Sequence, residues 1–88
     1  MAWKVELANS AEKELAKLDK TEARRIVSFL SERVSKAENP RSFGAPLKGP
    51  LKKYWKYRVG NYRLICDIQD EKITVLVLRV GHRGDVYR

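Results

Sequence analysis

One cysteine, Cys66, and one histidine, His82, are all the thiol and imidazole that the 88 residues offer. A lone cysteine forms no internal disulfide, and without a CxxC pair or a second histidine no all-protein zinc cage is expected, so neither a metal nor another cofactor is implied. Proline and glycine are sparse, three and five, and neither forms a tract; with no repeat at any solenoid period, low-complexity and repeat architectures are excluded. No stretch approaches the roughly 20 apolar residues of a membrane span. The N-terminus MAWKVELANS places Glu6 and Asn9 where a secretory signal needs an apolar run. A cytoplasmic protein with no membrane partner is the expectation. Eighty-eight residues at 43% hydrophobic content suit one compact domain, residues 1–88, with a single modest core.

Acidic residues are also missing where it matters. The net charge is +8, from 19 Lys and Arg against 11 Asp and Glu. Residues 1–39 hold 8 basic and 7 acidic side chains, whereas residues 40–88 hold 11 basic and 4 acidic, so the halves carry +1 and +7. Between Asn39 and Cys66 there is no carboxylate at all, while Arg41, Lys48, Lys52, Lys53, Lys56, Arg58 and Arg63 alternate with Tyr54, Trp55, Tyr57 and Tyr62. Cations interleaved with aromatics suit a nucleic-acid surface, with Arg41, Lys48, Lys52 and Lys53 as candidate RNA contacts. Charge alone fits, equally well, a merely soluble basic protein or one that neutralises an acidic protein partner.

The pattern predicts an α+β fold: a short N-terminal strand, a two-helix hairpin, then a three-stranded antiparallel sheet. Trp3, Val5 and Leu7 alternate with Lys4 and Glu6, the period of a half-buried strand. Asn9 with Glu12 reads as a capping box opening a helix that ends near Leu18. Asp19 with Glu22 repeats the pattern, and Ala23, Ile26, Val27, Leu30, Val34 and Ala37 form the apolar stripe of a longer helix. Its charged side, including Arg25 and Glu32, is expected to be solvated surface. Asn39-Pro40 ends that helix, and the segment through Pro50 reads as loop. Strands are expected at 53–59, 62–69 and 73–80.

Gly60-Asn61 suits a two-residue type II′ turn, glycine supplying the positive φ at the first central position. That turn sets Val59 opposite Tyr62, Arg58 opposite Arg63, Tyr57 opposite Leu64, Lys56 opposite Ile65 and Trp55 opposite Cys66. Trp55, Tyr57, Val59, Tyr62, Leu64, Cys66 and Ile68 then share the core face, and Lys56, Arg58 and Arg63 the other. Two cations about 5 Å apart repel by roughly 3 kcal/mol at an effective dielectric near 20, less where salt screens them. Like charges directly across a ladder destabilise a sheet, so the cluster makes sense with an anion in it, and a phosphodiester is the obvious one. Beyond the third strand, Gly81 is expected to end regular pairing and turn Arg83 toward the same face. Tyr87 either stacks on a base, lends its hydroxyl to proton transfer, or packs on the sheet edge. His82 should point away from the cluster, and a lone histidine is more often a packing residue than a base.

The segments LKGPLKKYWKYRVGNYRLICDI and VLRVGHRGDVY resemble the RelE branch of the RelE/ParE toxin superfamily, through K-x-R-V-G-x-Y-R at Lys56 to Arg63 and V-G-H-R-x-D-V-Y at Val80 to Tyr87. The resemblance covers nearly the whole chain. It implies the RelE/ParE-like microbial RNase fold and the toxin of a type II toxin–antitoxin system: a metal-independent endoribonuclease that cuts mRNA in the ribosomal A site and so inhibits translation. Family active-site positions fall on Lys56, Arg58, Arg63, Arg83 and Tyr87, with arginine at 58 where some members have lysine. The implied reaction is attack of a ribose 2′-hydroxyl on the adjacent phosphate. Lys56 would help remove the proton, the arginines would stabilise the transition state with Arg83 near the leaving oxygen, and Tyr87 would orient a flipped-out base. The implied partners are mRNA on the ribosome, ribosomal RNA, a RelB-like antitoxin and, only through the antitoxin, operator DNA. Two rival readings share the fold: a ParE-like DNA gyrase poison, and a non-catalytic RNA- or antitoxin-binding module.

Overall fold

A computed structural model of the protein describes residues 2–82. The chain runs β1 (Lys4–Leu7), α1 (Asn9–Ala16), α2 (Lys20–Phe29), β2 (Ala45–Pro46), β3 (Trp55–Val59), β4 (Tyr62–Gln69) and β5 (Thr74–His82). The α+β class holds, but the sheet has five strands in the order β1-β5-β4-β3-β2 rather than three. The N-terminal strand joins it at the edge, parallel to β5, with Val5 level with Val75 and Leu7 with Val77. At the opposite edge, residues expected as loop supply β2, antiparallel to β3 through Ala45–Lys56 and Pro46–Trp55.

The central hairpin has the register expected of its turn. All five β3–β4 pairs, from Trp55–Cys66 to Val59–Tyr62, stand as the turn geometry requires. Gly60 has φ of 59° and Asn61 does not share its left-handed backbone, the pattern of a type II′ turn. Alternation then sends Tyr57, Val59, Leu64, Cys66 and Ile68 into a core closed by Ala11, Ile26, Leu30 and Val34 of the helical layer, with Trp55 and Tyr62 at its margin. Burial pushes the Cys66 thiol up to about 12, so it sits in that core as a small neutral hydrophobe.

Helix termini depart from expectation. Asn9 does not cap α1: Ala8 occupies that position without a side-chain bond, and Ser10 instead donates its hydroxyl to the Leu78 carbonyl at 2.6 Å. Asp19 does cap α2, accepting from the Thr21 amide at 2.8 Å. After Phe29 the chain widens into a π turn, Leu30–Val34, in which the Ser35 amide reaches the Leu30 carbonyl at 2.9 Å. The regular stripe through Ala37 is therefore interrupted. Its buried residues are Ile26, Leu30 and Val34, with Phe29 packed beside them, whereas Val27 is 49% exposed.

β5 begins at Thr74, because Ile73 takes a left-handed turn conformation with φ of 48°. The strand contains a bulge: Ile65 pairs with Arg79 and Cys66 with Val77, leaving Leu78 as the extra residue. Core-facing positions step from Val75 and Val77 to Val80. Pairing does not stop at Gly81; it continues through Arg63–Gly81 and Tyr62–His82.

Candidate nucleic-acid interface

Lys56, Arg58 and Arg63 lie on one face of the β3–β4 hairpin because the residues between them face the core. Tyr57 is the anchor. It is 1% exposed, its hydroxyl donates to the Pro40 carbonyl at 2.6 Å, and its ring lies against Phe29 and Phe43 at centroid distances of 5.5 and 5.2 Å. Burial raises its phenol well above the ordinary range, so it stays a neutral donor. With Tyr57 fixed inward, Lys56 and Arg58 on either side of it project outward, and Arg63 stands directly across from Arg58.

These three cations surround a pocket of about 200 Å³, completed by Gly44, Ala45 and Tyr57. None of the six described residues that line it is acidic. The wall at Gly44 is set by close backbone approach. Gly44 has φ of +82°, and a Cβ there would come within 2.4 Å of the Lys56 carbonyl and 2.6 Å of the Trp55 indole nitrogen. The same indole donates to the Phe43 carbonyl at 2.8 Å, clamping the segment that carries β2 onto β3. Across the other ladder, Arg63 pairs with Gly81 of β5.

Beyond the pocket, Lys48, Lys52 and Lys53 are exposed, Lys53 with its ammonium 5.0 Å from the Tyr54 ring centroid. Arg41 departs from the expected group. Its guanidinium makes two 2.9 Å bonds to the Asp70 carboxylate and a longer one to the Ile68 carbonyl, at the far end of β4. Ile68 lies five positions along β4 from Arg63, roughly 17 Å at about 3.3 Å per strand residue. Arg41 therefore ties the turn after β4 to the segment after α2, and its charge is paired. His82 packs edge-to-face on Tyr62 at 5.6 Å, on the face opposite Arg58 and Arg63. Arg83 and Tyr87 lie outside the described residues.

One residue that shapes this face carries no sequence signal. Where β1 ends, α1 takes over the exposed edge of β5: the Glu14 carboxylate accepts from the Val80 amide at 2.7 Å and from Arg79 at 2.8 Å, beside the Ser10–Leu78 bond. Burial opposes ionisation of Glu14, but the Arg79 and Val80 hydrogen bonds outweigh it and hold the carboxyl below its usual range. Glu14 and Arg79 are 65 residues apart, beyond any local pattern.

The family model for the ParE toxin of the type II toxin–antitoxin system parDE matches residues 5–87. Toxin RelG of Mycobacterium tuberculosis is 36% identical over 88 residues, covering 100% of this chain and 99% of that protein. The crystal structure of the RelBE2 toxin–antitoxin complex from the same species superposes with a TM-score of 0.86 at 34% identity, covering 97% of this chain and 95% of that one. An arginine double mutant of E. coli RelE, in the free state, matches with a TM-score of 0.75 at 28% identity over 99% and 88% of the two chains. On this agreement of sequence and fold, the chain belongs to the RelE/ParE superfamily of toxins of type II toxin–antitoxin systems.

Proposed function

We propose that the protein is a ribosome-dependent endoribonuclease that cuts mRNA in the A site, and that Lys56, Arg58 and Arg63 grip the scissile phosphate. The observation that supports it is Arg58 directly across a ladder from Arg63, with Lys56 beside them and no acidic side chain among the described residues that line their pocket. Two cations set across a ladder present converging positive charge to an anionic ligand. A phosphodiester is such a ligand, and its transition state, which gathers further negative charge on the phosphoryl oxygens, is a better one. The arginines supply positive charge as forked donors that match phosphate oxygens.

In the proposed step the 2′-hydroxyl oxygen attacks the adjacent phosphorus while the bond from phosphorus to the 5′-oxygen breaks. The products are a 2′,3′-cyclic phosphate and, once the leaving 5′-oxygen takes up a proton from water, a 5′-hydroxyl. Lys56 assists removal of the 2′ proton, Arg58 and Arg63 stabilise the phosphorane-like charge, Arg83 faces the leaving oxygen, and Tyr87 orients the unpaired base. Ribosomal RNA is held by the exposed lysines 48, 52 and 53. A RelB-like antitoxin is the proposed inhibitor, in line with the complexed state of the M. tuberculosis relative.

The ParE name of the matching family model favours one second reading, poisoning of DNA gyrase. In vitro translation followed by primer extension separates the two. Discrete cuts at A-site codons, reduced at least a hundredfold by Arg63→Ala with the fold intact, are the expected result. Intact message beside gyrase-dependent DNA breaks would establish the poison instead.

A further inference from the structure

Lys56 has a second opening on its other flank. This cleft, about 360 Å³, is lined by Leu47, Lys48, Leu51 and Lys56. Beneath it lies a small apolar cluster separate from the main core, in which Leu47 and Ile65 pack with Tyr54. Leu51, on the short turn Gly49–Leu51, stays 45% exposed at the rim. The rim is nonetheless held in place: the Leu47 amide donates to the Tyr54 carbonyl at 3.0 Å and the Tyr54 amide to the Leu51 carbonyl at 2.9 Å.

The chemistry of the lining narrows the ligand. Among the described residues its polar side-chain groups are two ammoniums, and the rest is aliphatic. An inorganic anion would leave the leucines unused, and a neutral apolar molecule would leave the lysines unused. A nucleotide uses both, its planar base on the leucines and its phosphates toward the lysines. Lys56 also lines the 200 Å³ pocket, so a phosphate held there places the neighbouring base over the cleft. That continuity favours RNA over an acidic peptide as the occupant.

We propose that the Leu47–Leu51 cleft is a nucleobase subsite for the nucleotide adjoining the scissile linkage of single-stranded RNA, an inference that rests on the ribonuclease reading. With no side-chain amide or hydroxyl among the described residues of the lining to read base edges, it selects by contact area, taking purines ahead of pyrimidines.

The test is a double-mutant cycle on binding, with the full chain and a six-nucleotide RNA carrying a 2′-deoxy sugar at the cleavable position to prevent turnover. Fluorescence anisotropy compares RNAs with the adjoining base present or abasic, against wild type, Leu51→Ser and Leu51→Phe; circular dichroism checks that the variants fold. Base removal should weaken wild-type binding about fivefold, the low end of base-stacking effects, and Leu51→Phe binding at least as much. It should scarcely affect Leu51→Ser. Equal losses in wild type and Leu51→Ser, or no loss in either, overturn the subsite, as does an effect of Leu51→Ser confined to capture of an acidic amphipathic peptide. A protein that shows the coupling yet leaves translated messages intact overturns the ribonuclease reading alone, and one that cuts messages without the coupling overturns the subsite alone.

Discussion

At the scale of single residues, Glu14 completes the edge of β5 that β1 leaves uncovered. Its carboxylate satisfies the Val80 amide and pairs with Arg79, so truncation leaves one backbone donor without its partner and one guanidinium unpaired. Glu14→Ala should cost about 1–2 kcal/mol in urea unfolding at pH 7, a figure kept low because the pair is partly solvated. Glu14→Gln keeps an acceptor for Val80 and should cost about half as much. The carboxyl is held below its ordinary value near 4.5 in the folded state. The stabilisation is therefore fully present above that value and is lost as pH falls through the folded value. Asp70, lowered by its hydrogen bonds to Arg41, titrates in the same acid range but is unchanged in both proteins. Wild type should consequently lose stability on acidification more steeply than Glu14→Gln. Parallel pH curves would show that the carboxylate charge at Glu14 contributes nothing.

At the scale of elements, the wall of the 200 Å³ pocket depends on a backbone crossing that only glycine permits. Gly44→Ala would place a methyl against the Lys56 carbonyl in a left-handed conformation. The cost should be about 3 kcal/mol or more in unfolding free energy, from crowding added to the φ penalty, with loss of RNA cleavage as β2 moves off β3. Gly49 is the matched control: its φ is +66° but nothing lies within 4 Å of an added Cβ, so Gly49→Ala should cost about 1 kcal/mol and leave cleavage near wild type. The β3–β4 hairpin was legible in the sequence because turn chemistry and period-two alternation both act within a dozen residues. That was enough to put Arg58 opposite Arg63. β2 was not legible, since two residues, Ala45 and Pro46, carry no period, and the parallel partner of β1 lies 70 residues away. The bulge at Leu78 hid in an apolar run, and the π turn hid in a stripe whose spacing a regular helix also satisfies. Arg41 was placed among the RNA contacts because composition counts charges without their partners, and Asp70 lies 29 residues on.

At the scale of the whole molecule, the excess of +8 matters through where its unpaired part sits. Arg41 and Arg79 are neutralised by Asp70 and Glu14, and Arg25 and Lys36 pair with Glu22 and Glu32 along the helices. Lys48, Lys52 and Lys53 are exposed in the stretch that has no carboxylate, and Lys48 lines the leucine cleft that Lys56 shares with the 200 Å³ pocket. A single RNA strand lying along these lysines releases one set of counterions per phosphate engaged, and the logarithm of affinity falls with the logarithm of salt by about 0.7 per contact. Replacing the three lysines by glutamine should therefore flatten that slope by about 2, while leaving urea stability within about 0.5 kcal/mol of wild type. Arg41→Gln should do the reverse, lowering stability and leaving the slope unchanged, because its guanidinium is held by Asp70. Salt titrations of RNA binding for the two variants, each beside its unfolding curve, check both halves. If Arg41→Gln alone flattened the slope, the RNA path would run over the far end of β4 instead of along the lysines.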